Sequence, residues 1–261
     1  MEKFGKARVE TAMSVFDRAK DFATQFPHST HFQEIQGPLI ENLFYVFGAI
    51  GLPIPRDRAP ELETWIRRRI VDAPGDSRLS MILVRVAQAL PPPRKETVLT
   101  ELSQESTPEP ARTQAAEALR TYKRLGRPLE LKFTALDGRV VDLATLKGKV
   151  VLIDFWSTTC VPCVREMPDL KKLYTKSNPQ GFEVIGITLD EDKNVLQRFI
   201  QKEQLTWPQY YDPKGSQNPL AQEFFIRSIP VVWLVDRHGV LRHLDGREDQ
   251  ERKIEELLKE N

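Results

Sequence analysis

Apolar residues recur with a helical period along the first half of the chain and with strand-like runs along the second. Val9, Met13, Phe16, Ala19, Ala23 and Phe26 stand three or four positions apart and mark one face of a long helix. "EIQGPLIENLFYVFGAIGLPIP" comes next; its pattern is expected to be interrupted at Gly37-Pro38 and to end at Pro53 and Pro55. "APELETWIRRRIVD" and "SRLSMILVRVAQAL" predict two more helices, separated by "APGD". "PPP" at 91–93 is a hard break, after which "KETVLTELSQES" and "PEPARTQAAEALRTYKRL" follow. About six helices result, at a loose period of roughly 35 residues per pair, the spacing of helical-hairpin repeats. No clean repeat consensus is present, so a repeat array and an irregular bundle both stay open. Phe44, Tyr45, Phe47 and Trp65 are expected in the core of this half.

The pattern changes near residue 125. In "LELKFTALDGRVVDL" two short strand-like runs flank Asp137-Gly138, a hairpin-turn dipeptide. A strand at 150–156, a helix at 161–176, a strand at 182–188 and a helix at 192–204 then alternate. "WPQYYD" predicts a short strand and "NPLAQEFF" a helix. Strands at 231–235 and 240–243 flank the turn Arg237–Gly239, and a helix covers about 249–259. Strand–helix alternation implies a partly parallel sheet and the last pair an antiparallel one. The expected division is an all-helical domain over 1–125 and an α/β domain over 126–261.

Composition changes this picture little. The chain has 261 residues with 38 basic and 37 acidic side chains, a formal net charge of +1. That balance gives no signal for a nucleic-acid partner. "RRRI" at 67–70 is read as a solvated helix face. No apolar run approaches the roughly 20 residues of a membrane helix. "EKFGKARVE" after Met1 is no secretory signal. The expectation is a mature part whose leader or anchor lies upstream, with Met1 an expression start.

Both cysteines of the chain lie in "STTCVPC", three positions apart. A structural staple across Cys160 and Cys163 would close almost no loop and so stabilise little. A zinc site needs four ligands. The four histidines, His28, His31, His238 and His243, read as surface or turn residues. A two-coordinate copper site stays open as a minor alternative, and no metal or other cofactor is otherwise expected. A redox pair needs one thiol of lowered pKa, which a helix N-terminus supplies. The pair sits between the strand run "KVVLIDFW" and "VREMPDLKKLYTK", where Val164, Met167, Leu170 and Leu173 keep helical spacing. Pro162 suits the first turn of that helix. A CxxC at a strand-to-helix junction is a thiol redox motif.

From about Leu129 onward the chain resembles the thioredoxin superfamily, and within it the TlpA/ResA-type thiol-disulfide oxidoreductases, an AhpC/TSA-redoxin-like domain. "LKGKVVLIDFWSTTCVPCVREMPDL", "GFEVIGITLDED" and "IRSIPVVWLVDRHGVLR" carry the likeness, over roughly half the chain and in the family's order. The resemblance implies a thioredoxin-like α/β fold: a central mixed sheet flanked by helices, with an added N-terminal hairpin and a central insertion, here preceded by an all-α domain. It implies exchange with protein disulfides, reductive in direction, fed by an upstream electron donor, in the periplasm or on a membrane anchor facing it; the cytoplasm is the alternative.

Cys160 is then the attacking thiol and Cys163 the resolving one. Asp154, six residues before Cys160, alternates with Ile153 and Phe155 and is expected under the active site. A buried carboxylate has a raised pKa and could take the proton of Cys163; a strand-end Asp facing solvent is the alternative. Trp156, Val161, Pro162, Ile229 and Pro230 are the expected substrate-binding residues. Pro230 occupies the position of the superfamily's cis-proline, which would turn the Ile229 backbone toward Cys160 to pair with an extended substrate.

Two departures stand out. Thr159 replaces a tryptophan common before the first cysteine, and Gly186 stands near the place of a lysine in thioredoxin proper. Two other readings remain: a helical adaptor, able to hold a protein partner, with a redox-sensing domain, and a thiol peroxidase.

Overall fold

The chain divides into two units, Met1–Arg120 and Thr121–Asn261. This computed structural model describes residues 2–26, 29–49, 52–73, 75–247 and 249–260. Met1, His28 and the side chain of His31 lie outside the described residues.

Six α-helices are described up to Tyr122: α1 (Glu2–Gln25), α2 (Thr30–Leu43), α3 (Ala59–Asp72), α4 (Ser77–Ala89), α5 (Arg94–Leu102) and α6 (Ala111–Tyr122). α4 is the hub and packs against α2, α3 and α5. Its start is capped by Asp76, whose carboxylate accepts from the backbone N–H of Arg78 at 3.0 Å. Leu79, Ile82, Leu83 and Val86 follow at helical spacing and are buried, each stabilising by about 1.5–3 kcal/mol. Within α3, the buried Glu63 is paired with Arg67 at 2.7 Å and with Arg94 of α5, so part of the arginine cluster at 67–70 is tied down rather than simply solvated.

Gly37-Pro38 does not interrupt α2, contrary to expectation; the helix runs through Pro38 to Leu43 and continues as a π-helical stretch, Phe44–Ala49. A proline inside a helix costs about 3 kcal/mol. Here Leu39, Ile40, Leu43, Val46 and Phe47 are all buried on the same side of that segment, and their packing offsets the cost. Tyr45, expected in the core, is 54% exposed, because it falls on the opposite side of the stretch.

The second unit is built on a five-stranded sheet of order β5-β4-β3-β6-β7. Its strands are β3 (Val150–Trp156), β4 (Phe182–Thr188), β5 (Gln209–Tyr210), β6 (Val231–Val235) and β7 (Leu241–His243). β3, β4 and β5 are parallel, while β6 and β7 join antiparallel. A hairpin of β1 (Lys132–Thr134) and β2 (Val140–Asp142) precedes them. The helices are α7 (Val161–Ser177), α8 (Lys193–Glu203), the short α9 (Pro219–Glu223) and α10 (Gln250–Lys259). This is the mixed, helix-flanked sheet of a thioredoxin-like fold. The turn before β7 is held by Asp236, which accepts from the N–H groups of His238 and Val240 at 2.9 and 3.0 Å. Gly239 there has φ +81°, a left-handed conformation that favours glycine.

All seven residues of β3 are buried, as a central strand with covered faces requires. Val151, Ile153 and Phe155 pack with the β1–β2 hairpin and α9 on one face. Val150, Leu152 and Trp156 pack with α7, α8 and α10 on the other. That alternation decides where Asp154 points.

Candidate active site

The site forms where β3 ends and α7 begins. Between them, Thr158 donates its backbone N–H to the carboxylate of Asp190 at 3.0 and 3.1 Å, and its hydroxyl bonds the same group. Thr188, at the end of β4, bonds Asp190 as well. The buried Asp190 therefore ties the cysteine loop to the neighbouring strand. Replacing it with Ala should cost about 1–3 kcal/mol, because the buried Thr188 hydroxyl and the part-buried N–H and hydroxyl of Thr158 lose their acceptor together; a lowered denaturation midpoint in the oxidised protein checks this.

Cys160 is the N-cap of α7, with ψ 94°, and its Sγ accepts from the backbone N–H of Cys163 at 3.3 Å. Free N–H groups of a helix start favour negative charge on that sulfur. Pro162 lies in the first turn, where its missing N–H leaves no bond unmade. Cys160 and Cys163 form a disulfide with Cα atoms 5.3 Å apart. The pair is asymmetric: Cys163 is only 4% exposed and part of the core, while Cys160 is partly exposed. Val161 beside it is 51% exposed.

Asp154 is an even-numbered residue of β3, so it lies on the face of Leu152, Trp156 and Cys163. It is buried among apolar neighbours. That burial lifts its carboxyl to about 7; the Glu166 carboxylate pushes the same way and Arg247 opposes it. Glu166, one turn into α7, is bound by the Arg247 guanidinium through two nitrogens, Nε at 2.9 Å and Nη2. Burial depresses the Arg247 pKa, but the Glu166 hydrogen bond and nearby carboxylates outweigh it and leave it raised.

The Ile229–Pro230 peptide bond, just before β6, is cis. Ile229 and Cys160 pack against the same apolar cluster. Ile229 and Pro230 are both partly exposed. Trp156 has to be corrected as a substrate-binding residue. It is fully buried, its indole N–H donates to Gln209 Oε1 at 3.0 Å, and it offers no surface to a docked chain.

Residues 127–244 match the model of the AhpC/TSA family. Over 125 residues the chain is 36% identical to the thiol-disulfide oxidoreductase ResA of Halalkalibacterium halodurans, covering 47% of this chain and 68% of that one. The chain belongs to the ResA-type thiol-disulfide oxidoreductases. Another ResA, from Bacillus thuringiensis, is 32% identical over 127 residues, covering 48% of this chain and 71% of its own. Among solved structures, the thioredoxin domain of a thiol-disulfide oxidoreductase from Bacteroides vulgatus is 28% identical, over 52% of this chain and 98% of that one, with a TM-score of 0.46. As a member of the ResA-type family the protein is an oxidoreductase, and its cysteine pair stands at disulfide distance.

Sequence reasoning about this ResA-type site missed Asp190, Glu166, Arg247 and Gln209. "TLDED" carried a signal for Asp190, an acidic residue two positions after the end of a strand. Arg247 and Glu166 are 81 positions apart, and no local pattern links them.

Proposed function

We propose that the protein reduces disulfides in other proteins by two-step exchange, with Cys160 attacking and Cys163 resolving. The Cys160 thiolate attacks one sulfur of the substrate disulfide; that S–S bond breaks and the other substrate sulfur leaves as a thiolate. The Cys163 thiolate then attacks Cys160 Sγ and releases the second substrate thiolate. Two electrons pass to the substrate, and the protein is left with the Cys160–Cys163 bond. An upstream dithiol donor restores it.

One observation carries the assignment of roles: Cys160 is the partly exposed N-cap of α7, whereas Cys163 is buried one turn inside. Asp154, on the same face as Cys163 with a carboxyl near neutrality, takes the proton of the resolving thiol. Val161, Pro162, Ile229 and Pro230 form the substrate rim, and the Ile229 backbone pairs with an extended chain. Its place in this reading is the bacterial periplasm, in redox homeostasis; kinship with the ResA-type proteins supports that reading, and disulfide chemistry belongs to such oxidising compartments. Among the described residues no helix is long and apolar enough to cross a membrane.

The test is insulin-disulfide reduction with a dithiol donor, together with alkylation of the reduced protein against pH. Turnover is expected, with Cys160 reacting first and titrating below the unperturbed thiol value of about 8.5. A protein that oxidises and reduces without turning over insulin would instead be a sensor, and a couple more oxidising than the glutathione pool would reverse the direction.

A further inference from the structure

Asp154 on β3 is paired with Gly186 on β4, and Gly186 with Gln209 on β5. Residues in one row of a sheet carry their side chains on the same face, here the face of α7 and Cys163. The middle position has no side chain. A Cβ on Gly186 would meet Gln209 Oε1 at 1.9 Å and Nε2 at 2.8 Å, so the Gln209 amide leans over the glycine into the space next to Asp154.

The orientation of that amide is fixed, because the buried indole N–H of Trp156 needs an acceptor and finds Oε1. The other end is a problem. Gln209 is 3% exposed, and its Nε2 is buried with no hydrogen-bond partner among the described residues. Nor does any described residue donate a hydrogen bond to the Asp154 carboxyl, whose charged neighbours are Glu166 and Arg247. A buried amide N–H without an acceptor is unfavourable, and so is a buried carboxylate without a donor. The two stand in one row with only a glycine between.

We propose that Gln209 is a positioning residue for Asp154: its Nε2–H edge, locked in place by Trp156, donates across Gly186 to the ionised carboxyl through one bridging water, and so sets how readily that carboxyl takes a proton. The charged and titratable groups facing Asp154 from its other sides are Cys163 and Glu166 on α7 and Arg247 before α10; β4 and β6 present only Gly186 and Val232 beside it. The consequence for turnover rests on reading Asp154 as the proton acceptor of the resolving thiol.

Infrared titration of the oxidised full chain tests the contact itself, following the protonated carboxyl band that disappears in Asp154→Asn. Gln209→Leu removes the donor, so the midpoint should rise by about one pH unit or more, a tenfold gain in proton affinity. Gln209→Glu keeps an acceptor for Trp156 and puts a negative charge where the donor was, so it should raise the midpoint at least as far. A purely structural Gln209 would lower stability and leave the midpoint alone. Midpoints unmoved in both variants, with both folded by circular dichroism, would overturn the inference. If the midpoint moves but Asp154→Asn releases mixed disulfide at the wild-type rate, the contact stands and the relay reading fails. If Asp154→Asn slows release but the Gln209 variants titrate as wild type, the inference alone fails.

Discussion

Cys163→Ser should halt the protein at a covalent complex with its substrate, and Cys160→Ser should abolish turnover. Without the second thiol, nothing near Cys160 Sγ can displace the substrate sulfur, so the mixed disulfide accumulates. Without the first, the remaining thiol is the one that is 4% exposed, and a substrate disulfide cannot reach it. A serine hydroxyl at 160 is not ionised near neutral pH and is a poor nucleophile toward sulfur. Loss of at least about a thousandfold in insulin reduction is expected for each variant, as for a nucleophile removed from other enzymes. Mass spectrometry of quenched reactions would find adducts with Cys163→Ser and none with Cys160→Ser. Adducts on Cys160→Ser would reverse the roles.

Asp154→Asn should keep the fold, slow release of the mixed disulfide and change the stability profile with pH. With the carboxylate gone, the resolving thiol must lose its proton to water, a change worth roughly a hundredfold or more in rate. The slowing should be greatest near and above pH 7, where the wild-type carboxyl is ionised and able to accept. Single-turnover release from pH 6 to 9 measures this, and unchanged kinetics would remove Asp154 from the mechanism. The stability effect has the opposite sign. The Asp154 pKa is raised to about 7 in the oxidised fold, against about 3.9 in an unfolded chain. The wild type is therefore favoured below about pH 4, where both states are protonated, and loses stability as pH rises toward and through 7. The full loss is on the order of 4 kcal/mol. Asn carries no such penalty, so the variant should gain on the wild type between pH 5 and pH 8 in denaturant titrations. A residue lost from the mechanism yet gained in stability is the signature of a buried group held for chemistry.

Much of the site was legible because it is local. Cys160, Pro162 and Cys163 fall within four consecutive positions shortly after a seven-residue buried strand, and their spacing alone puts one sulfur at a helix start and the other one turn in. The period-two alternation of β3 likewise assigned Asp154 to the face opposite Ile153 and Phe155. The same alternation could not say that Trp156 would be wholly covered, since that depends on Phe199 of α8 and Gln209 of β5 closing over it. Gly37-Pro38 failed in the other direction: a local helix breaker was overridden by the buried apolar side chains that follow it, from Leu39 to Phe47.

The amino-acid sequence by itself determined the order and type of the elements, the helical character of the first half, the redox pair and the face on which its buried carboxylate lies. These are set by periodicity, turn residues and spacing, which act over a few positions. Only the tertiary structure decided what surrounds that carboxylate. The Glu166–Arg247 pair, the Asp190 clamp on Thr158 and the Gln209 amide over Gly186 each join residues 23 to 81 positions apart. The last of these exists because strand order puts β5 next to β4 and because Gly186 has no Cβ to keep the amide out. Proton affinity in a buried site is fixed by such neighbours, and neighbours of this kind are made by the packing of strands and helices rather than by adjacency along the chain.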